Sequence, residues 1–370
     1  MSVPAATDHY VTAWDREWFK RCRRAWDLGS HSRRDLEPID AAARAPDLSV
    51  AIRRALDVYY YPGMWDWRPA IVRPLVLEGY HRAMGGADDQ VGTGDKMLER
   101  YFEWAPSVDR FCPMQVSAEL IVGIPDPGKA EGDLTDPAGA GVHYKDRIDA
   151  AVMDDQGVYW VLHHRLVRGE WEDLDLLTLG PRLLASCWAA EVFYLAPVAG
   201  VILNELRVPR AGEPDSPALA LRRREFEMKR GSVLQSRHRP QLARAGLEPV
   251  AVEAHQETTH WFRRTHVPIS RELIAAQPKM LAREMLDMVT DGRALYPSPN
   301  PHHCPSCVFR APCLAMQGGA DGEAILAASY RRRAPTIDEP RIGRGFGFLL
   351  PAPEVRSRSA RPGSAPSVRP

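Results

Sequence analysis

Three cysteines fall within ten residues, Cys304-x2-Cys307-x5-Cys313, in the segment PNPHHCPSCVFRAPC, where prolines and turns surround the thiols. Such spacing lets three sulfurs face one point, because the turn folds the intervening residues away. Three thiolates are one short of a complete shell for Zn²⁺ or for a [4Fe–4S] cluster. His302 or His303 supplies a fourth ligand locally, as a zinc site, and Cys22 supplies one from the other end of the chain. Cys112 and Cys187 read as core residues, the usual role of an unpaired cysteine.

A second group of polar residues lies in two β-rich stretches. His143–Met153 (HYKDRIDAAVM) and Val158–Leu166 (VYWVLHHRL) flank Asp154-Asp155-Gln156-Gly157, a good hairpin turn. The first stretch carries Asp149, and the second carries His163, His164 and Arg165. Alternation along a strand puts His163 and Arg165 on one face. An acid on one strand and an acid-x-lysine on its partner would bring two carboxylates to one Mg²⁺, which polarises a phosphate and activates water. Taken alone, the hairpin also suits a plain cross-strand pair of Asp149 with Arg147 or Arg165.

Together the cysteines and the hairpin resemble the PD-(D/E)XK nuclease superfamily, in its RecB-like branch of AddB-type and CRISPR-associated exonucleases. In that family one N-terminal cysteine joins a C-x2-C-x5-C triplet to hold a [4Fe–4S] cluster, which staples the two ends of the nuclease domain. Phe19-Lys20-Arg21-Cys22-Arg23-Arg24-Ala25-Trp26 is similar to the N-terminal cysteine motif, with Arg23 where a proline is usual. The resemblance therefore implies a cluster on Cys22, Cys304, Cys307 and Cys313, with Zn²⁺ as the alternative. Glu119 sits like the family's first glutamate, Gly79-Tyr80-His81 resembles its histidine motif, and Arg147-Ile148-Asp149 matches its G-R-I-D strand. It implies Asp149 as the metal-binding aspartate, with Glu119 and His81 beside it.

The next strand departs from the family. Where W-L-V-D-H-K-T-G is expected the chain has Tyr159-Trp160-Val161-Leu162-His163-His164-Arg165, so His163 replaces the acid and Arg165 the lysine. The helix that resembles P-Q-L-x-x-Y-x-W-A carries Arg182 for its glutamine and Ser186 for its tyrosine. A neutral imidazole is a poor Mg²⁺ ligand and suits Mn²⁺ or Zn²⁺ better. A planar guanidinium does not place a water as a compact ammonium does. The expectation is a DNA-processing protein of recombination, repair or phage replication whose cleavage is weak or lost. Two routes keep cutting alive: a carboxylate moved to Asp146, Glu170 or Glu172, or a Mn²⁺ site on His81, Asp149 and His163. The alternatives are a non-catalytic DNA-binding or protein-interaction scaffold and a zinc protein unrelated to nucleases. Expected DNA contacts are Arg23, Arg24 and Arg182, with further basic runs at Arg222–Arg224 and Arg331–Arg333. The expected partners are single-stranded DNA or duplex ends, and a helicase or recombination protein.

These groups need a scaffold, and 370 residues suffice for a large domain with additions. Hydrophobic content of 45% and charge of 26% are those of a globular protein. No apolar run approaches the ~20 residues of a membrane span, so a cytoplasmic protein without a membrane partner is expected. With 48 basic and 48 acidic residues, no net field draws nucleic acid. Only six of the basic residues are lysine, which leaves many forked donors suited to phosphate.

Apolar periodicity predicts a helix over Tyr10–Leu28, another over about 66–85, and a short one at Lys96–Trp104 after the loop GGADDQVGTGD. A strand at Gln115–Ile124 precedes the hairpin, and a helix at Leu174–Tyr194 and a strand at Val201–Val208 follow it. Thr258–Val267 reads as a further strand, followed by a helix capped by Ser270 and interrupted by Pro278. Helix, strand, hairpin, helix and strand specify an α/β fold, a mixed central sheet flanked by helices. The resemblance makes this a restriction-endonuclease-like core over about 74–210, with helical N- and C-terminal parts joined by the metal cluster. The domain is expected over 1–335, with the cysteine segment at 296–316. A Pro/Ser/Arg-rich tail over 336–370 reads as disordered.

Overall fold

The structure, a computed structural model, describes residues 8–40, 47–85, 88–171, 180–209, 256–290 and 292–333. Arg222–Arg224, Glu172 and the C-terminal tail lie outside the described residues. The chain is α/β, with a central mixed sheet flanked by helices.

Seven strands form the sheet: β1 (His9–Thr12), β3 (Phe111–Gly123), β4 (Val142–Asp154), β5 (Tyr159–Val167), β6 (Val198–Arg207), β7 (Gln256–Thr258) and β8 (Phe262–Pro268). β4 is antiparallel to β3 and β5 and parallel to β1, whereas β6 is parallel to β5 and antiparallel to β8. A parallel neighbour needs a crossover. Here α6 (Pro181–Tyr194) supplies it, with α7 (Arg271–Val289) packed beside it. Trp188 of α6 and Leu281 and Met285 of α7 bury against one face of the sheet. The other face is covered by α3 (Leu48–Tyr59), α4 (Pro69–Met84) and α5 (Asp88–Val108), through side chains such as Leu56, Val76 and Leu98.

A small third core joins the two ends of the described chain. Ala25 and Leu28 of α2 (Arg23–Gly29) meet Phe309, at the start of α8 (Arg310–Gln317), and Leu326 of α9 (Gly322–Ser329). Beside it, β2 (Leu36–Pro38) pairs antiparallel with β9 (Tyr330–Arg332). No described helix is long and apolar enough to cross a membrane.

Several elements differ from the sequence expectation. The first helix is replaced by β1, then α1 (Ala13–Arg21) and α2, because Cys22 takes an extended conformation (φ −164°, ψ 108°) that ends α1. Thr12 starts α1 with a reciprocal capping box to Asp15. Helix α3 was not anticipated. Of the Gly-rich stretch read as a loop, residues 88–95 are helical within α5, and Gly94 shows why a glycine is there: an added Cβ would collide with the Tyr80 hydroxyl. Tyr80 packs through the space a side chain would fill. Residues 256–268 form two strands, not one. Pro278 lies inside α7 without interrupting it. Burial of Ile274, Leu281 and Met285 on the sheet outweighs the one lost backbone hydrogen bond.

Candidate functional site

Two strands share one edge of β4. β1 pairs with Val142–Lys145 and β5 with Ala150–Met153, so the stretch from Asp146 to Asp149 has no ladder partner on that edge. The strands also change facing at this level. Ala118 and Ile148 pack in the first core, whereas Val116 and Ala150, two residues along, pack in the second. Ser117 lies between, at φ 49° in the left-handed region. The sheet is forked here, and Asp149 sits in the fork. Its Oδ2 accepts the backbone N–H of His164 at 2.7 Å, in place of a ladder carbonyl, and stands 3.6 Å from His163 Nδ1.

From His163 a bonded row continues toward α6. His163 Nε2 lies 3.3 Å from Ser186 Oγ, and the Ser186 hydroxyl donates to Asp146 Oδ2. His163, Ser186 and Asp146 are only 5%, 0% and 4% exposed, so the row is sealed from solvent. Burial pushes the Asp149 carboxyl up, but the adjacent His163 ring and the positive potential of His164 and Arg53 outweigh it. They hold Asp149 well below the usual carboxylate range.

On the opposite face of β5, His164 belongs to a different network. Burial, opposed by Asp149, lowers its pKa to about 4, so at neutral pH the ring is uncharged. Its Nδ1 accepts from Asn204 Nδ2 at 2.8 Å, which puts the ring proton on Nε2. The ring stacks on Tyr60 at 5.4 Å. Arg264, fully buried on β8, pairs with Asp109 and donates to Tyr60 Oη at 3.0 Å, Tyr101 Oη at 3.1 Å and Asn204 Oδ1 at 3.2 Å.

Of the other expected site residues, Glu119, His81 and Arg165 have partners of their own. Glu119 is more than half exposed and pairs with Lys145 at 2.9 Å. His81, half exposed on α4, pairs with Asp95 of α5 at 2.6 Å. Arg165 stands 3.8 Å from the buried Glu205, which Arg263 also binds. Arg182 is exposed at the start of α6, and Glu170 is exposed after β5. Asp57 of α3 was missed by sequence reasoning. It lies close enough to Asp149 for the two carboxylates to repel. Burial raises its pKa to about 6, against the Ser117 hydroxyl that donates to it. Its one sequence signal is position, directly after the apolar stripe Ile52–Leu56.

At the other site the four cysteines converge. Cys22 stands between α1 and α2, Cys304 opens a short 3₁₀ turn, Cys307 closes it, and Cys313 lies in α8. Burial raises the pKa of Cys307, and the nearby Cys22, Cys313 and Cys304 raise it further. Two of them receive N–H donors: Cys304 from Asn300 N at 3.3 Å and Cys313 from Arg24 Nη1 at 3.6 Å. N–H groups aimed at sulfur stabilise thiolate, so the donor set fits a four-thiolate centre. No ring of His302 or His303 bonds a thiol among the described residues. Among those residues no three His, Cys, Asp or Glu side chains are drawn to metal-ligand spacing. Arg24 is thus occupied at the cysteines, and Arg23 pairs with Asp287 at 2.6 Å.

No family model matches the chain, and no curated protein does. Among solved structures, the crystal structure of SSO0001 is similar at a TM-score of 0.28 and 13% identity, over 70% of this chain and 84% of that one. Likeness at that level establishes neither fold nor function.

Proposed function

We propose that the chain is a RecB-like, PD-(D/E)XK-type DNA-processing protein that binds DNA and cuts it weakly or not at all. The observation that carries this reading is the row Asp149–His163–Ser186–Asp146. Two positions at which the sequence departs from the family pattern, His163 and Ser186, lie against each other at 3.3 Å. The place of the second metal-binding acid is taken by a ring that Asp149 and Ser186 hold from either side. These residues do not fit Mg²⁺ or Mn²⁺. Asp149 is engaged by a backbone N–H, His163 and Asp146 are sealed from solvent, and Asp57 is bound by Ser117.

Cys22, Cys304, Cys307 and Cys313 would hold a [4Fe–4S] cluster, or Zn²⁺ in its place. Bound there, it would supply a staple between the two ends of the fold. The crossover from β5 through α6 to β6 agrees with the expected order of helix, strand, hairpin, helix and strand.

The test is fluorescence anisotropy with single-stranded and blunt duplex DNA over a salt series, run beside cleavage assays in Mg²⁺ and in Mn²⁺. Binding whose log K falls linearly with log salt, without cleavage products, is expected. Absence of binding at low salt would leave only the scaffold reading. Mn²⁺-dependent cleavage abolished by Asp149→Ala would mean that catalysis persists.

A further inference from the structure

A pocket of about 410 Å³ opens between α1 and α7, beside the cysteine site. Three cations line one wall: Arg16 and Lys20 of α1, and Arg23 just beyond Cys22. α7 supplies the opposite wall with Arg283, Glu284 and Asp287. The carboxylates are already engaged. Glu284 takes Arg16 at 2.7 Å and Lys20 at 2.6 Å through separate oxygens, and Asp287 takes Arg23 at 2.6 Å. Four cations against two carboxylates leave a surplus of two positive charges. Arg283 is exposed and has no partner among the described residues, and the Lys20 side chain remains 45% exposed. The surplus therefore faces the opening, and the buried Arg16 forms the fixed end.

The rim is aromatic. Tyr296 is half exposed, and the Arg23 guanidinium lies 5.4 Å from its ring centroid and 4.4 Å from that of Phe19. A planar base can stack on such a ring. The charge surplus decides which anion fits. A phosphodiester carries one negative charge, whereas a phosphomonoester carries about 1.5 to 2 at pH 7. The volume lies within the range of small-molecule sites.

We propose that this pocket binds the phosphomonoester of a nucleotide, with Lys20 and Arg283 on the phosphate and Tyr296 under the base. Charge and shape fit the pocket to a free nucleotide; the extension to a phosphorylated strand end rests on the DNA reading above.

The experiment measures binding of the full chain to one short single-stranded oligonucleotide with a 5′-phosphate, a 3′-phosphate or neither. Deoxyadenosine monophosphate serves as competitor and, by calorimetry, as a ligand in its own right. One phosphorylated form should bind about tenfold tighter than the unphosphorylated form, a difference worth about 1.4 kcal/mol. Arg283→Glu should erase that preference, and Lys20→Ala should reduce it. Arg283 lies outside the ion-pair network, so an unchanged melting temperature shows that its variant is folded. Competition by the mononucleotide extends the ligand to free nucleotides; its absence, with the preference still dependent on Arg283, confines the ligand to strand ends. Arg283-dependent binding of the mononucleotide with no oligonucleotide binding keeps the pocket and removes the DNA reading. Equal binding of all three oligonucleotides, unchanged in Arg283→Glu and with no mononucleotide binding, overturns the pocket and leaves the DNA reading standing.

Discussion

The cysteine corner and the fork at Asp149 are held together in opposite ways. The corner has four buried apolar side chains, Ala25, Leu28, Phe309 and Leu326, and two three-residue strands. Its ion pairs, Arg34–Glu323 and Arg331–Glu37, are solvent-exposed, and such pairs contribute at most about 1 kcal/mol each. The fork lies between two large cores, and Asp146, His163 and Ser186 within it are buried and bonded to one another. On the reading proposed above, a region so short of apolar surface would depend on what its thiols hold, whereas a region closed by its own hydrogen bonds would have no such need.

The sharpest way to break this comparison is Cys22→Ser. Because metal-binding free energy at such a site is also folding free energy, we expect anaerobically purified variant protein to lose its bound metal. Its melting temperature should fall by the equivalent of several kcal/mol, and the chain should become cleavable by protease around residues 30–40. Unchanged metal content and melting temperature would show that the corner closes without its thiols. Next in size is Arg264→Leu, which leaves Asp109 buried without its cation. Burial already raises the Asp109 carboxyl and Arg264 pulls it back. Breaking such a pair costs about 3–5 kcal/mol, measurable by urea denaturation, with metal content at the corner unaffected. Adding Asp109→Leu should recover much of the loss, since the burial penalty then disappears from both partners.

Local signals made part of this legible in the sequence. The hairpin turn needs Gly157 at φ 79°, and the pattern of strand, turn and strand around it is visible over about 25 residues. The cysteine triplet is likewise a local spacing. What escaped depends on contacts distant along the chain. Gly94 reads as a loop former until Tyr80 is seen occupying its side-chain space. Thr258–Val267 reads as one strand because Phe262 and its neighbours keep the β pattern through the turn. The fork was hidden because a ladder gap at Asp146–Asp149 is visible only once β1 and β5 are both paired to β4. Asp57 was hidden because its effect on Asp149 crosses from helix to strand.

Asp57 gives the smallest and most specific prediction. Its carboxyl, raised to about 6, holds its proton more tightly in the folded chain than in the unfolded chain, where the value is near 4. Between those values the unfolded state binds fewer protons, so stability falls as pH rises from about 4 to about 6 and stays reduced above that window. A shift of about two units corresponds to roughly 1–3 kcal/mol. Asp57→Asn keeps an oxygen for the Ser117 hydroxyl and removes the ionisation. The variant should match the wild type at pH 4 and exceed it by that amount at pH 7, read by urea denaturation. An equal difference at both pH values would mean that Asp57 does not titrate as its surroundings require. Repeating the pH 7 measurement with Mn²⁺ tests the contrast between the two regions directly. A wild-type gain that Asp57→Asn abolishes would mean that Asp57 and Asp149 share a cation. The fork would then, like the corner, depend on what it binds.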